Sequence, residues 1–174
     1  MRPGRGAGGE SMISRLLKNL ATASLLAASL MINAAVPAMA ADYPYPGTVT
    51  VPTPHNFDTL LKRLEKAISD NGMGLVAQAS ASRGAASRGV NIPGNAVLEV
   101  FRNDYAVRML EASVPAGIEA PLRIYVIEKA DRTTTIIYRR PSAVFTPYGS
   151  AKLDAMAREL DPIFEKIIYN AAGK

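Results

Sequence analysis

The sequence predicts an α+β two-layer sandwich, with one mostly antiparallel or mixed sheet of about five strands and helices packed on one of its faces. Three observations predict it. Two segments, residues 57–68 and 153–167, repeat apolar side chains at three- and four-residue spacing, which gives each helix a single apolar stripe. Five short segments, near residues 48–51, 75–79, 97–102, 122–129 and 134–140, read as strands, the first alternating valine with threonine. A one-striped helix and a one-faced strand bury those surfaces only against each other, so the economical packing is a sheet covered on one side.

The elements follow in order. Val49 and Val51 alternate with threonines in a short first strand, which Pro52 and Pro54 end because neither can donate to a ladder. Asn56 caps the next helix, with Asp58 favourable near its positive end, and Phe57, Leu60, Leu61, Leu64, Ala67 and Ile68 form its stripe. Gly72 suits the left-handed residue that closes it. Leu75 to Ala79 reads as a second strand and Ser82 to Arg88 as a short helix stopped by Gly89. Val97 to Arg102 is a third strand, after which Asn103 is expected to cap a helix carrying Tyr105, Ala106, Met109 and Leu110. Pro115, Gly117 and Pro121 mark a loop. Leu122–Lys129 and Thr134–Arg140 form a hairpin across residues 130–133. Ser150 caps the last helix, which Pro162 is expected to kink or to divide behind Asp161.

Residues 1–40 carry a different pattern. Arg15 and Lys18 precede an apolar run of about thirteen residues, Leu20 to Ile32, shorter than the roughly twenty that span a bilayer. Ala38, Met39 and Ala40 then supply the small-x-small pattern of a signal peptidase site. The expected organisation is a cleaved signal at 1–40 (with Met12 an alternative start), a Pro-rich leader at 41–47 that is extended and poorly packed, and one domain at 48–170. The expected location is the periplasm or the exterior, with no membrane insertion after cleavage.

Export changes the charge balance. Four of the 20 basic residues and one of the 15 acidic residues lie within 1–40, so the mature chain falls from +5 to +2. Nucleic-acid or anionic-membrane binding then lacks compositional support. The absence of cysteine excludes disulfides and thiol chemistry.

The Leu-rich segment from Phe57 to Gly72, the Gly-Leu-Val-Ala of residues 74–77, Val97 to Asn103, Pro121 to Val126 and Tyr138 to Ser142 fall in one order. That order resembles the bacterial family called domain of unknown function 302, over about residues 48–148, and the final helix resembles that of its exported proteobacterial members. The resemblance implies a two-layer α/β domain commonly preceded by an export signal, and no established reaction. Many members carry a histidine in the segment matching Ser80 to Ala86. This chain has none there, so no role passes from it. The family's usual Asp-Gly hairpin is Asp131-Arg132 here.

No catalytic motif is present. His55, the single histidine, sits at a strand-to-helix turn without a recognisable nucleophile motif, which favours a structural role. Serines 80, 82 and 87 lack the Gly-x-Ser-x-Gly context and suit a turn and a helix cap. The glycines at 72–74 and 84–89 lack phosphate-loop spacing. Met73, Met109 and Met156 offer thioethers that suit copper(I), a reading that requires Met73 and Met109 to share an open cavity; on apolar helical stripes, gap-filling is their usual job.

The strongest cluster is basic and aromatic. Arg102, Arg123, Tyr125, Tyr138, Arg139 and Arg140 are the candidate ligand-binding residues, with Arg108 and Tyr148 nearby in sequence. Guanidinium forks pair with carboxylate or phosphate, and tyrosine supplies an apolar wall with a polar tip. The competing reading has Glu99, Asp104, Glu111, Glu119 and Glu128 neutralise these arginines in ordinary ion pairs.

The leading expectation is an exported, non-enzymatic binding or interaction domain, without cofactor or metal, that holds a small anionic ligand or a second subunit on its sheet face. The alternatives are an enzyme with an Arg/Tyr/Glu site acting on a small anionic or aromatic substrate, and methionine-based copper handling. Mass spectrometry of the protein recovered from cells is expected to find Ala41 as the mature N-terminus. An intact polypeptide retained inside the cell contradicts the export reading.

Overall fold

Strand β1 (Thr48–Thr53), helix α1 (Phe57–Asp70), β2 (Gly74–Ala79), α2 (Ala81–Ala86), β3 (Asn95–Phe101) and α3 (Asn103–Ala112) make the first half of the fold. A 3₁₀ turn at Val114–Glu119, the hairpin β4 (Leu122–Glu128) and β5 (Thr134–Arg139), α4 (Pro141–Phe145), a 3₁₀ turn at Thr146–Tyr148 and α5 (Ala151–Ala172) complete it. This computed structural model describes residues 43–174. The expected signal and its cleavage point lie outside the described residues.

The five strands form one sheet in the order β1-β5-β4-β3-β2, with every neighbouring pair antiparallel. The register decides which side chains share a face. Ile124 stands opposite Tyr138 and Val126 opposite Ile136, with Leu98 opposite Ile124 on the other flank. These residues point into the helix layer and are almost wholly buried. Their partners there are Leu60, Leu64 and Ile68 of α1 and Leu153, Phe164 and Ile167 of α5, each inaccessible or nearly so. Truncating a fully buried leucine such as Leu64 in this layer costs about 2–5 kcal/mol.

Local chemistry sets the element ends. The Asn56 side chain accepts the Thr59 N–H at 2.9 Å, as a cap should. After α1, Gly72 takes a left-handed φ of 68°, and the Met73 N–H reaches back to the Ile68 carbonyl at 3.0 Å. That Schellman closure turns Met73 inward. Ser80 caps α2 by accepting from the Arg83 N–H at 3.2 Å.

Three expectations are corrected. Asn103 is the first residue of α3 rather than its cap: extended Arg102 holds the cap position without a side-chain cap bond, and its guanidinium takes the nearby Asp104 carboxylate instead. Pro162 neither ends nor divides α5, which runs unbroken for 22 residues. The proline lies on the solvent side, so the carbonyl four residues earlier, on exposed Arg158, is left to water, while Leu160 and Phe164 keep the stripe buried across it. The leader turns over residues 43–47 rather than running extended, while residues 44–47 stay exposed as expected. Pro46-Gly47 makes a turn with Gly47 at φ 72°, the Arg140 N–H donates to the Gly47 carbonyl at 2.9 Å, and the Thr48 hydroxyl donates to the Tyr45 carbonyl at 2.8 Å.

The β4–β5 loop closes as a hairpin without glycine. Arg132 takes the left-handed position at φ 64°, and the Asp131 carboxylate accepts from both the Thr133 hydroxyl (2.6 Å) and the Thr133 N–H (3.0 Å). These bonds, the hydroxyl's first, hold the Asp131 carboxyl below the usual carboxylate range. A left-handed non-glycine residue costs about 1–2 kcal/mol, partly offset by the greater freedom of glycine in the unfolded chain. Arg132→Gly is therefore expected to raise stability by about 0.5–1 kcal/mol in urea denaturation. A lower midpoint would contradict this account of the turn.

Candidate functional site

The helices cover one face of the sheet, and the second face collects the other half of each strand. On β4, Arg123 and Tyr125 are exposed between buried Leu122, Ile124 and Val126. On β5 the same face carries Thr135, Ile137 and Arg139. Tyr125 stands directly opposite Ile137, and one further step of that register sets Arg123 opposite Arg139. Like charges directly across two strands repel. Glu99 stands opposite Arg123 on its other flank and Thr48 opposite Arg139. Among the described residues, neither Arg123 nor Arg139 has a carboxylate within ion-pairing distance.

The turned leader borders a cleft of about 540 Å³ on this face, inside the range of small-ligand sites. Tyr43, Tyr45, Arg123, Tyr125, Ile137 and Arg139 line it, together with the carboxylate-bearing Glu119. Arg139 is half-buried. Its guanidinium lies 5.3 Å from the Tyr45 ring centre, and one Nη donates to the Ala143 carbonyl at 3.2 Å. Its Nε is buried with no hydrogen-bond partner. Burial, and then the neighbouring Tyr125 hydroxyl, push the Tyr43 hydroxyl above its ordinary pKa. The Tyr148 hydroxyl donates to Glu119 at 3.0 Å. Burial and that bond raise it too.

The six candidate residues therefore divide. Arg123, Tyr125 and Arg139 meet in the cleft, while Tyr138 only borders it: 4% exposed, its ring turns into the helix layer and stacks on Phe164 at 6.3 Å between centres. Arg102 lies elsewhere, bound to Asp104 at 2.7 and 3.0 Å and stacked 4.3 Å over Tyr105. Arg140 faces Glu165 of α5 at 3.7 Å. Arg108 makes a two-point pair with Glu159, both bonds 2.7 Å, which holds the Glu159 carboxyl below its ordinary value. Sequence reasoning missed Tyr43, Tyr45 and Glu119. The signal for the tyrosines was present: the Pro46-Gly47 turn folds their segment back beside β1.

A second, smaller cavity of about 30 Å³ lies where α3 and α5 meet the end of β3. Met73, Met109 and Met156 all line it, with Arg102 and Tyr105 as its polar members. His55 belongs to neither place. Its backbone is held by Thr53 and Thr134, and its Nε2 lies near the Gly173 cap of α5, a structural setting. Among the described residues no three His, Asp or Glu side chains gather as metal ligands.

Comparison with known proteins adds the following. A family model described as domain of unknown function DUF302 matches residues 49–171. Among solved structures, an uncharacterized conserved DUF302 protein from Bacillus stearothermophilus shares the fold at a TM-score of 0.65 and 20% identity. The match covers 72% of this chain and 98% of that one. No curated protein matches the chain.

Gly47 carries the leader over the cleft. A Cβ there would collide with the Ala143 side chain, and its φ is one that other residues adopt at a cost of about 1–2 kcal/mol. Gly47→Ala is expected to lower stability by at least that amount in urea denaturation and to bring the Tyr43 hydroxyl titration down toward that of free tyrosine. An unchanged titration would show that the turn does not hold Tyr43 in place.

Proposed function

The chain belongs to the DUF302 family, and from that premise we propose that it is an exported, non-catalytic binding domain whose open sheet face takes a small anion with an aromatic or apolar body. One observation carries the reading: Arg123 and Arg139 both line a tyrosine-rich cleft, and among the described residues neither has a carboxylate within ion-pairing distance. Of the other arginines singled out in the sequence, Arg102, Arg108 and Arg140 each have an acid within 4 Å. A carboxylate or phosphate between Arg123 and Arg139 would relieve their repulsion and supply the partner that the Arg139 Nε lacks. Ile137 and the rings of Tyr43, Tyr45 and Tyr125 would enclose the rest of the ligand.

Export rests on the pattern of residues 12–40. An enzymatic reading would need a group in the cleft that exchanges a proton during turnover. Glu119 is the carboxylate in the lining, and it already accepts a hydrogen bond from Tyr148. Binding by the two arginines requires no such exchange.

The test is a calorimetric titration of the purified protein with benzoate and with inorganic phosphate. A charge-assisted hydrogen bond contributes about 1.5–3 kcal/mol, so Arg123→Gln and Arg139→Gln are each expected to weaken binding about tenfold or more. Arg140→Gln is expected to leave it unchanged. Absence of binding by either anion, or equal binding by all variants, contradicts the proposal. A dimer that Tyr125→Glu dissociates would assign the same face to a second subunit instead.

A further inference from the structure

We infer that Met73, Met109 and Met156 form a thioether site for a single copper(I) ion. The chain has seven methionines, four of them within the first 40 residues. The remaining three are far apart in sequence, on the turn after α1, on α3 and on α5, yet all three line one cavity. The Schellman closure at Gly72 brings Met73 there, and the apolar stripes of α3 and α5 bring Met109 and Met156. All three are at least nine-tenths buried.

Size and chemistry narrow the occupant. The cavity is small, about 30 Å³, and apart from the three thioethers its lining is mostly hydrocarbon. Arg102 and Tyr105 are the polar side chains in the lining. Thioethers are soft ligands that select copper(I) over the harder divalent metals, and neither cysteine nor the sole histidine is present to recruit zinc. The positive charge of Arg102 is offset by its two bonds to Asp104. The step is binding alone, with copper supplied and retained as copper(I). It is independent of the sheet-face cleft, where none of the three methionines lies.

Methionine also fills gaps in ordinary cores, so the experiment must separate packing from ligation. Leucine preserves side-chain volume at small cost and removes the sulfur. The purified protein is titrated anaerobically with copper(I) against a chromophoric copper(I) chelator, with silver(I) as a redox-inert check. The expected result is one ion per chain, an all-sulfur shell by X-ray absorption, and at least tenfold weaker binding in each of Met73→Leu, Met109→Leu and Met156→Leu. Circular dichroism verifies that each variant is folded. Failure of the unaltered protein to compete for copper(I), or a shell of nitrogen and oxygen, overturns the site whatever the variants do. Folded leucine variants that bind as tightly as the parent overturn it as well.

Discussion

The structure depends on burial being one-sided. Five antiparallel strands present two faces, and among the described residues long apolar helices cover only one of them. Leu98, Ile124 and Ile136 join α1 and α5 in a layer from which water is almost wholly excluded, and removal of that apolar area from water dominates the folding free energy. Because side chains alternate along a strand, fixing one face fixes the other. The register that sets Ile124 opposite Tyr138 on the helix side also puts Arg123 and Arg139 on the second face. Their placement is thus tied to the core, and a one-residue slip that moved them would expose the buried face.

A bare amphipathic face is a poor ligand site, because nothing on it excludes water. The leader changes that. Gly47 permits the reversal, its carbonyl is fixed by the Arg140 N–H, and the two tyrosines before it stand over the second face. The cleft therefore has a rigid floor made by strands and a wall contributed by a short turn. Helix-side arginines show the contrasting solution: Arg108 lies flush with Glu159 in an exposed two-point pair, the kind of surface interaction that contributes little to stability.

Periodicity made the main layer legible from the residues alone. The stripe from Phe57 to Ile68 and the alternation from Leu122 to Glu128 each admit one packing, and the resemblance to the family adds the order in which they occur. Pro162 misled because proline reports a lost N–H without saying which side of the helix it faces; facing water, it leaves the stripe intact. Asn103 misled because Arg102 could take the cap position and hold Asp104 by its own side chain. At the candidate site, residue type was informative and partnership was not. Arg102 and Arg139 look alike in sequence, and only the fold separates an arginine lying on its acid from one facing its like. The tyrosines of the leader escaped notice because Pro-rich composition suggests extension, whereas Pro46-Gly47 specifies a turn.

The central claim is that the sheet face away from the helices holds an anion between Arg123 and Arg139. Anomalous diffraction from crystals of the protein soaked in 4-bromobenzoate tests it most directly, since bromine locates the ring and the adjoining density locates the carboxylate. The account predicts a single strong peak beside Tyr125 and Ile137, with the carboxylate bridging Arg123 and Arg139. A carboxylate bound at Arg102 or Arg140, or an empty cleft at saturating ligand, would contradict it.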